Sequence, residues 1–261
     1  MKVNENHPLK VSFAIVVYAL CSSSMLIINK VAVTLLPAPT IVLLAQLTSS
    51  SVVVWGMSTL GFIDMDTFVW DKAKSYFFVS LAFLLALYTN VKTLQYANVE
   101  TFIVFRSSTP ILIAVLDYVY LGRQLPGKRS WASLCTTCCG ALAYVYTDSN
   151  FEFRAYGWVF AWYVVFVFDQ IFIKYVVDNV ELTVWGRSFY TNTMAIIPVC
   201  IIGSVSQEHR AMQGYQWSTS SVSALALSCL VGVLMSYSAF LLRGLVSATS
   251  FIVIGTMCKI G

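Results

Sequence analysis

Apolar runs of span length, parted by short polar clusters, recur along the entire chain. They fall near residues 11–31, 39–60, 75–95, 98–121, 130–147, 154–177, 186–205 and 221–243, and a ninth begins near Val246. About 20 apolar residues at a helical rise of about 1.5 Å cross the roughly 30 Å of bilayer hydrocarbon, so each of the first eight predicts a membrane-spanning helix. The ninth, Val246-Ser-Ala-Thr-Ser-Phe-Ile-Val-Ile-Gly-Thr-Met-Cys-Lys-Ile-Gly261, reaches the last residue before a span is complete, which predicts a helix cut short.

Composition turns this pattern into a class. Apolar residues make up 58% of the 261 positions and charged residues only 11%, which excludes a soluble domain and predicts a polytopic helical membrane protein in a lipid bilayer. The polar leader and long first apolar run carry no small-residue cleavage pattern, so the first span is expected to act as a signal anchor. Charge then orients the chain. With the N-terminus cytosolic, that side holds Lys2, Lys10, Lys72, Lys74, Arg123, Lys128, Arg129, Arg187 and Arg243, against Lys92, Arg154 and Arg210 on the other. The positive-inside rule selects this orientation and rejects its inverse.

Enzyme chemistry finds no support. The histidines are His7 and His209, both outside the spans, and neither a zinc-protease helix, a nucleophile elbow nor a phosphate-binding loop can be found. The cysteines 21, 135, 138, 139, 200, 229 and 258 all fall within spans. Cys135-x-x-Cys138-Cys139 lacks the second ligand pair a zinc site needs, so these are expected to be small packing residues. No metal or cofactor is expected, and basic residues this scattered exclude nucleic acid as a partner.

Self-comparison shows two local matches. Asn98-Val-Glu-Thr-Phe-Ile-Val-Phe-Arg106 aligns with Ser247-Ala-Thr-Ser-Phe-Ile-Val-Ile-Gly255 at an offset of 149, and Lys30 of span one aligns with Lys174 of span six at 144. Two matches at nearly one offset predict a duplication of five spans per half. Five is odd, so the second half enters the membrane from the opposite side and the repeat is inverted. The expected fold is therefore all-α, a ten-span inverted five-helix repeat truncated within the ninth span. Residues 1–150 form its first repeat and residues 151–261 a C-terminally incomplete second.

Some residues are not explained by residence in lipid. Lys259 lies where the middle or far half of a span belongs, at an insertion cost of about 2.5–3.5 kcal/mol that points it toward a cavity or a ligand. Arg106 sits about eight residues into span four, too deep to snorkel with ease, while Lys30 and Lys174 stand where snorkelling and a site role are equally open. Pro110 removes a backbone bond one turn beyond Arg106, and Ser107, Ser108 and Thr109 offer hydroxyls to the freed carbonyls. Asp117 is on the same helical face as Arg106 but roughly 16 Å along the axis, too far to pair. Asp169 in span six is a candidate partner for one of these cations. In span seven, Tyr190 and Asn192 offer a stacking surface and an amide suited to a base edge, although on composition alone interhelical hydrogen bonding is the better account of them.

Phe189-Tyr190-Thr191-Asn192 resembles the FYNN motif of Golgi GDP-sugar transporters, and Gly255-Thr256-Met257-Cys258-Lys259 resembles their GALNK motif. Asn29-Lys30, the Phe-Arg-x-x-x-Pro of span four and Leu121-Gly-Arg-Gln124 are also similar. The resemblance covers the whole chain and is strongest to plant-type GDP-mannose transporter-like proteins of the drug/metabolite transporter superfamily, whose fold is a ten-span inverted repeat. It implies a Golgi antiporter that exchanges a nucleotide sugar for a nucleoside monophosphate, with homodimer formation open. By the same resemblance Tyr190 and Asn192 address the base, and Gly255 and Lys259 the sugar and pyrophosphate, with Lys30 and Arg106 as further substrate-binding candidates. Thr191 and Cys258 replace asparagines of the two motifs, which leaves sugar and base open. A carrier of phosphorylated sugars and a truncated, non-transporting paralogue are the alternatives.

Overall fold

The computed structural model describes residues 7–36, 38–97, 99–147, 153–205 and 212–260. The N-terminal tail through Asn6 and the Gln207–Arg210 cluster lie outside the described residues, as do the side chains of Lys30, Lys92 and Lys259. The described residues form nine α-helices: α1 (His7–Leu35), α2 (Pro39–Thr59), α3 (Trp70–Tyr96), α4 (Val99–Leu121), α5 (Lys128–Thr147), α6 (Phe153–Asn179), α7 (Val184–Val205), α8 (Thr219–Leu245) and α9 (Ala248–Ile260). All nine expected runs are helical. Six of them, α1, α2, α4, α6, α7 and α8, contain stretches long and apolar enough to cross a membrane, against eight full spans expected. Among the described residues the two of the eight that fall short are α3, which opens with Asp71, Lys72 and Lys74, and α5, which opens with Lys128-Arg129 and continues through serines and threonines.

Local chemistry sets the helix ends. Proline at the first position starts α2, where its missing N–H is no loss. Gly61 ends the same helix at a φ of 75°, with the Phe62 N–H returning to the Met57 carbonyl at 2.9 Å. Gly122 closes α4 in the same way at a φ of 62°, the Arg123 N–H reaching the Asp117 carbonyl. Ser218 and Ser221 form a capping box at the start of α8. The interior proline of α4 is accommodated as its neighbours suggest. Thr109 Oγ1 donates to the Arg106 carbonyl at 2.7 Å, the group that Pro110 cannot serve, and Ser107 and Ser108 donate one turn back.

The chain forms two compact units. The first holds α1, α2, the start of α3 to Ser80, α7, α8 and the residues leading into α7 from Val177. In it α8 packs on α1, α2 and α7, and α2 packs on α7. Small residues let these helices approach: a Cβ on Gly203 of α7 would come within 2.9 Å of the Thr40 side chain of α2. The second unit holds the remainder of α3, α4, α5, α6 to Val176 and α9 to Met257. Its centre is Trp162, 1% exposed, with its ring 4.5 Å from that of Phe102 and 5.2 Å from that of Phe166. Residues 1–150 and 151–261 both contribute to each unit.

All seven cysteines are free thiols. The packing role expected for Cys135 and Cys139 is not what they do: both are exposed on α5, because the face of α5 that meets α4 runs through other positions.

Candidate functional site

The motif-bearing helix of the first unit is α7, and its start is held by a carboxylate from far back in the chain. Asp66, in the segment joining α2 to α3, accepts from the Thr183 N–H at 2.7 Å and the Thr183 hydroxyl at 2.8 Å. The Thr183 oxygen in turn accepts from the Gly186 N–H at 3.0 Å, as a helix N-cap does. A Cβ on Gly186 would collide with the Asp66 carboxylate, which explains why a glycine stands there. Asp66→Ala should therefore cost about 0.5–2 kcal/mol of stability, and Gly186→Ala a similar amount by displacing the same carboxylate. In thermal melts of detergent-solubilised protein the double variant should lose little more than either single one; fully additive shifts would show that the two positions act separately.

One turn further on, Tyr190 is fully buried and its hydroxyl is used in both directions. It accepts from the Val69 N–H at 2.6 Å and donates to the Thr67 carbonyl at 3.0 Å, so the segment entering α3 is pinned to α7. Its ring stacks on Phe68 with centroids 5.4 Å apart and planes 6° from parallel. Asn192, 7% exposed, donates its amide to Ser50 of α2 at 2.7 Å and to Ser236 of α8 at 3.0 Å, with Ser188 at 3.4 Å. Ser188 and Ser236 share a 2.7 Å bond. This hydroxyl and amide cluster ties α2, α7 and α8 together, the interhelical role that the residue types allow. Arg187 donates to the Val177 carbonyl, and Ser80 of α3 donates to the Thr191 carbonyl.

In the second unit Arg106 is half-buried, with its guanidinium 6.0 Å from the ring centre of Phe102 and 5.8 Å from that of Phe166. Aromatic faces of this kind attract a cation and relieve part of its cost in an apolar site. Gly255 is buried within α9, and the Thr256 hydroxyl beside it returns to the Ile252 carbonyl. Asp169 accepts from the neighbouring Gln170 amide at 2.8 Å. Lys174 is 1% exposed, so it does not snorkel: α6 has half of its apolar window buried inside the protein, and the lysine lies on that side. The described residues thus place Tyr190 and Asn192 on α7 in the first unit and Arg106 and Gly255 in the second.

A feature beyond the sequence reading lies where α4, α5 and α9 meet. Asp117, 3% exposed, accepts at Oδ2 from the Thr249 N–H at 3.2 Å and from the Thr249 hydroxyl at 3.1 Å, capping α9 as Asp66 caps α7. Its Oδ1 is buried with no hydrogen-bond partner. Asp117 lines a cavity of about 620 Å³ with Gln124, Arg129, Ser130, Ser133 and Ser250. Serine and threonine before an apolar run were a readable cap signal for α9, but nothing local ties Thr249 to an aspartate 132 positions earlier.

A buried lysine, polar interhelical clusters and apolar helices of span length define a helical membrane protein with a polar interior. No family model matches the chain. It is 36% identical to GDP-fucose transporter 1 of Arabidopsis thaliana, over 99% of this chain and 78% of the relative. It is 34% identical to the GDP-mannose transporter GONST3 of the same plant, over 93% of this chain and 67% of that one. At 24% it also matches the human nucleotide sugar transporter SLC35D2, over 92% of this chain and 72% of the relative. The chain belongs to the nucleotide-sugar transporter family.

Proposed function

We propose that the protein is a Golgi-membrane antiporter that carries a GDP-sugar, GDP-fucose or GDP-mannose, inward in exchange for the nucleoside monophosphate. The observation that carries this reading is the pair of GDP-sugar transporters aligned with it at 36% and 34% identity over nearly its whole length. The N-terminus is cytosolic in this reading, which puts the lysine- and arginine-rich loops on the side where the sugar nucleotide is taken up. By the motif resemblance, Lys259 and Arg106 are the residues assigned to the charge of the pyrophosphate, Tyr190 and Asn192 to the base, and Gly255 to the sugar. Lys30 contributes from α1.

Exchange by alternating access calls for two related halves, and helix packing supports the inverted repeat. A shift of five helices pairs α1 with α6, α2 with α7, α3 with α8 and α4 with α9. Under that shift the α1–α8 contact has its counterpart in α6–α3, made by the Thr93 hydroxyl on the Trp158 carbonyl at 3.0 Å. The α2–α8 contact has its counterpart in α7–α3, made by Ser80 on Thr191. The α2–α7 and α4–α9 contacts map onto themselves.

Purified protein in liposomes preloaded with GMP should take up GDP-fucose or GDP-mannose, and uptake should stop when GMP is left out. Lys259→Ala should lower the rate at least tenfold, the loss expected when about 1.4 kcal/mol or more of a charge-assisted contact is removed. Uptake of hexose phosphates in place of nucleotide sugars would assign the protein to phosphorylated sugars instead.

A further inference from the structure

We propose that the cavity between α4, α5 and α9 is a second ligand site, which takes the sugar-phosphate portion of a substrate, with Asp117 Oδ1 as its hydroxyl acceptor. The starting point is an acceptor without a donor. Both donors that Thr249 owns go to Asp117 Oδ2, and the Ser250 N–H and the Ser247 hydroxyl are spent on each other's oxygens. Oδ1 stays buried and unpartnered in a residue that lines the cavity. A buried carboxylate oxygen is stable there only when a donor or a cation meets it.

Two features select among such ligands. The positive end of α9 points at Asp117, and Arg129 lines the same cavity, so the local field disfavours a free cation and favours neutral donors attached to an anion. Gln124, Ser130 and Ser133 add groups that both donate and accept, the complement of several hydroxyls on one ring. A polyol bearing a phosphate matches that set in chemistry: hydroxyl donors for the Asp117 carboxylate, hydroxyls that pair with the serines, and an anion for Arg129. At about 620 Å³ the cavity falls within the roughly 300–1,000 Å³ of small-molecule sites. Naming a sugar phosphate rests on the nucleotide-sugar reading above; a site for a hydrogen-bond donor does not.

Calorimetry on the full chain in lipid nanodiscs, with mannose 1-phosphate, GMP and sodium chloride as separate probes, tests this. Asp117→Asn keeps a carbonyl oxygen for Thr249 but puts an NH₂ where the acceptor is needed. It should weaken mannose 1-phosphate at least tenfold and leave GMP binding unchanged. Asn192→Ala should do the reverse. GMP binding to no protein, with mannose 1-phosphate behaving as stated, would sink the base-recognition reading and leave this site standing. Mannose 1-phosphate that fails to bind, that survives Asp117→Asn, or that is lost with Asn192→Ala would overturn the proposal, as would sodium binding in its place. Ser133→Phe, which fills the cavity from α5 without touching the cap, should give the same loss and serves if Asp117→Asn does not fold.

Discussion

Tyr190→Ala should be among the most damaging single changes in the first unit, at about 3–5 kcal/mol, the range for deleting a buried aromatic ring. The ring is fully buried, stacked on Phe68 and tilted against Tyr76 at 5.9 Å, so nothing can relax into the space without moving the segment before α3. Lipid tails are as apolar as the side chains, so the loss is one of packing contacts and of two hydrogen bonds, not of transfer from water. Tyr190→Phe separates the two. It keeps the ring and strands the Val69 N–H and the Thr67 carbonyl, which should cost about 1–3 kcal/mol. Thermal melts of both variants, followed by GMP titration, are the measurement. A Phe variant that melts like the parent yet no longer binds GMP would show that the hydroxyl serves the ligand rather than the loop.

Trp162→Ala should do comparable harm to the second unit, about 3–5 kcal/mol. The indole fills the space between α4 and α6, in van der Waals reach of Phe102 and stacked on Phe166, and these are the same rings that flank the Arg106 guanidinium. Its loss therefore loosens Arg106 as well as the core. Trp162→Phe should recover most of the stability, because a smaller ring still bridges both neighbours. Intrinsic fluorescence melting in nanodiscs reads both variants. A Trp162→Ala protein with an unchanged melting temperature would mean that this ring cluster does not hold the unit.

Much of the helix inventory was legible because periodicity and length suffice when the solvent is hydrocarbon. The hydroxyls around Pro110 were equally readable, since the carbonyl left open by proline and its nearest donors are neighbours in sequence. Asp117 shows where such reading stops. Its distance from Arg106 was computable from helix rise and correctly excluded a pair, yet its actual partner, Thr249, is set by tertiary packing that no local signal encodes. Lys174 is the opposite case: a lysine near a helix end is compatible with snorkelling, and only the burial of α6 decides against it. Asn192 carried both readings in its amide, and its neighbours Ser50 and Ser236 come from α2 and α8, which sequence spacing alone could not bring to it.

The two aspartate caps have a consequence for how the chain is made. Asp66 emerges from the ribosome 117 residues ahead of Thr183, and Asp117 emerges 132 residues ahead of Thr249. At translation rates of about 5–20 residues per second, each carboxylate waits on the order of ten seconds for its threonine. During that wait α2 and α4 are already synthesised while the starts of α7 and α9 do not yet exist. Neither cap can form before its threonine is made, so this way of docking α7 waits on Thr183 and that of α9 on Thr249.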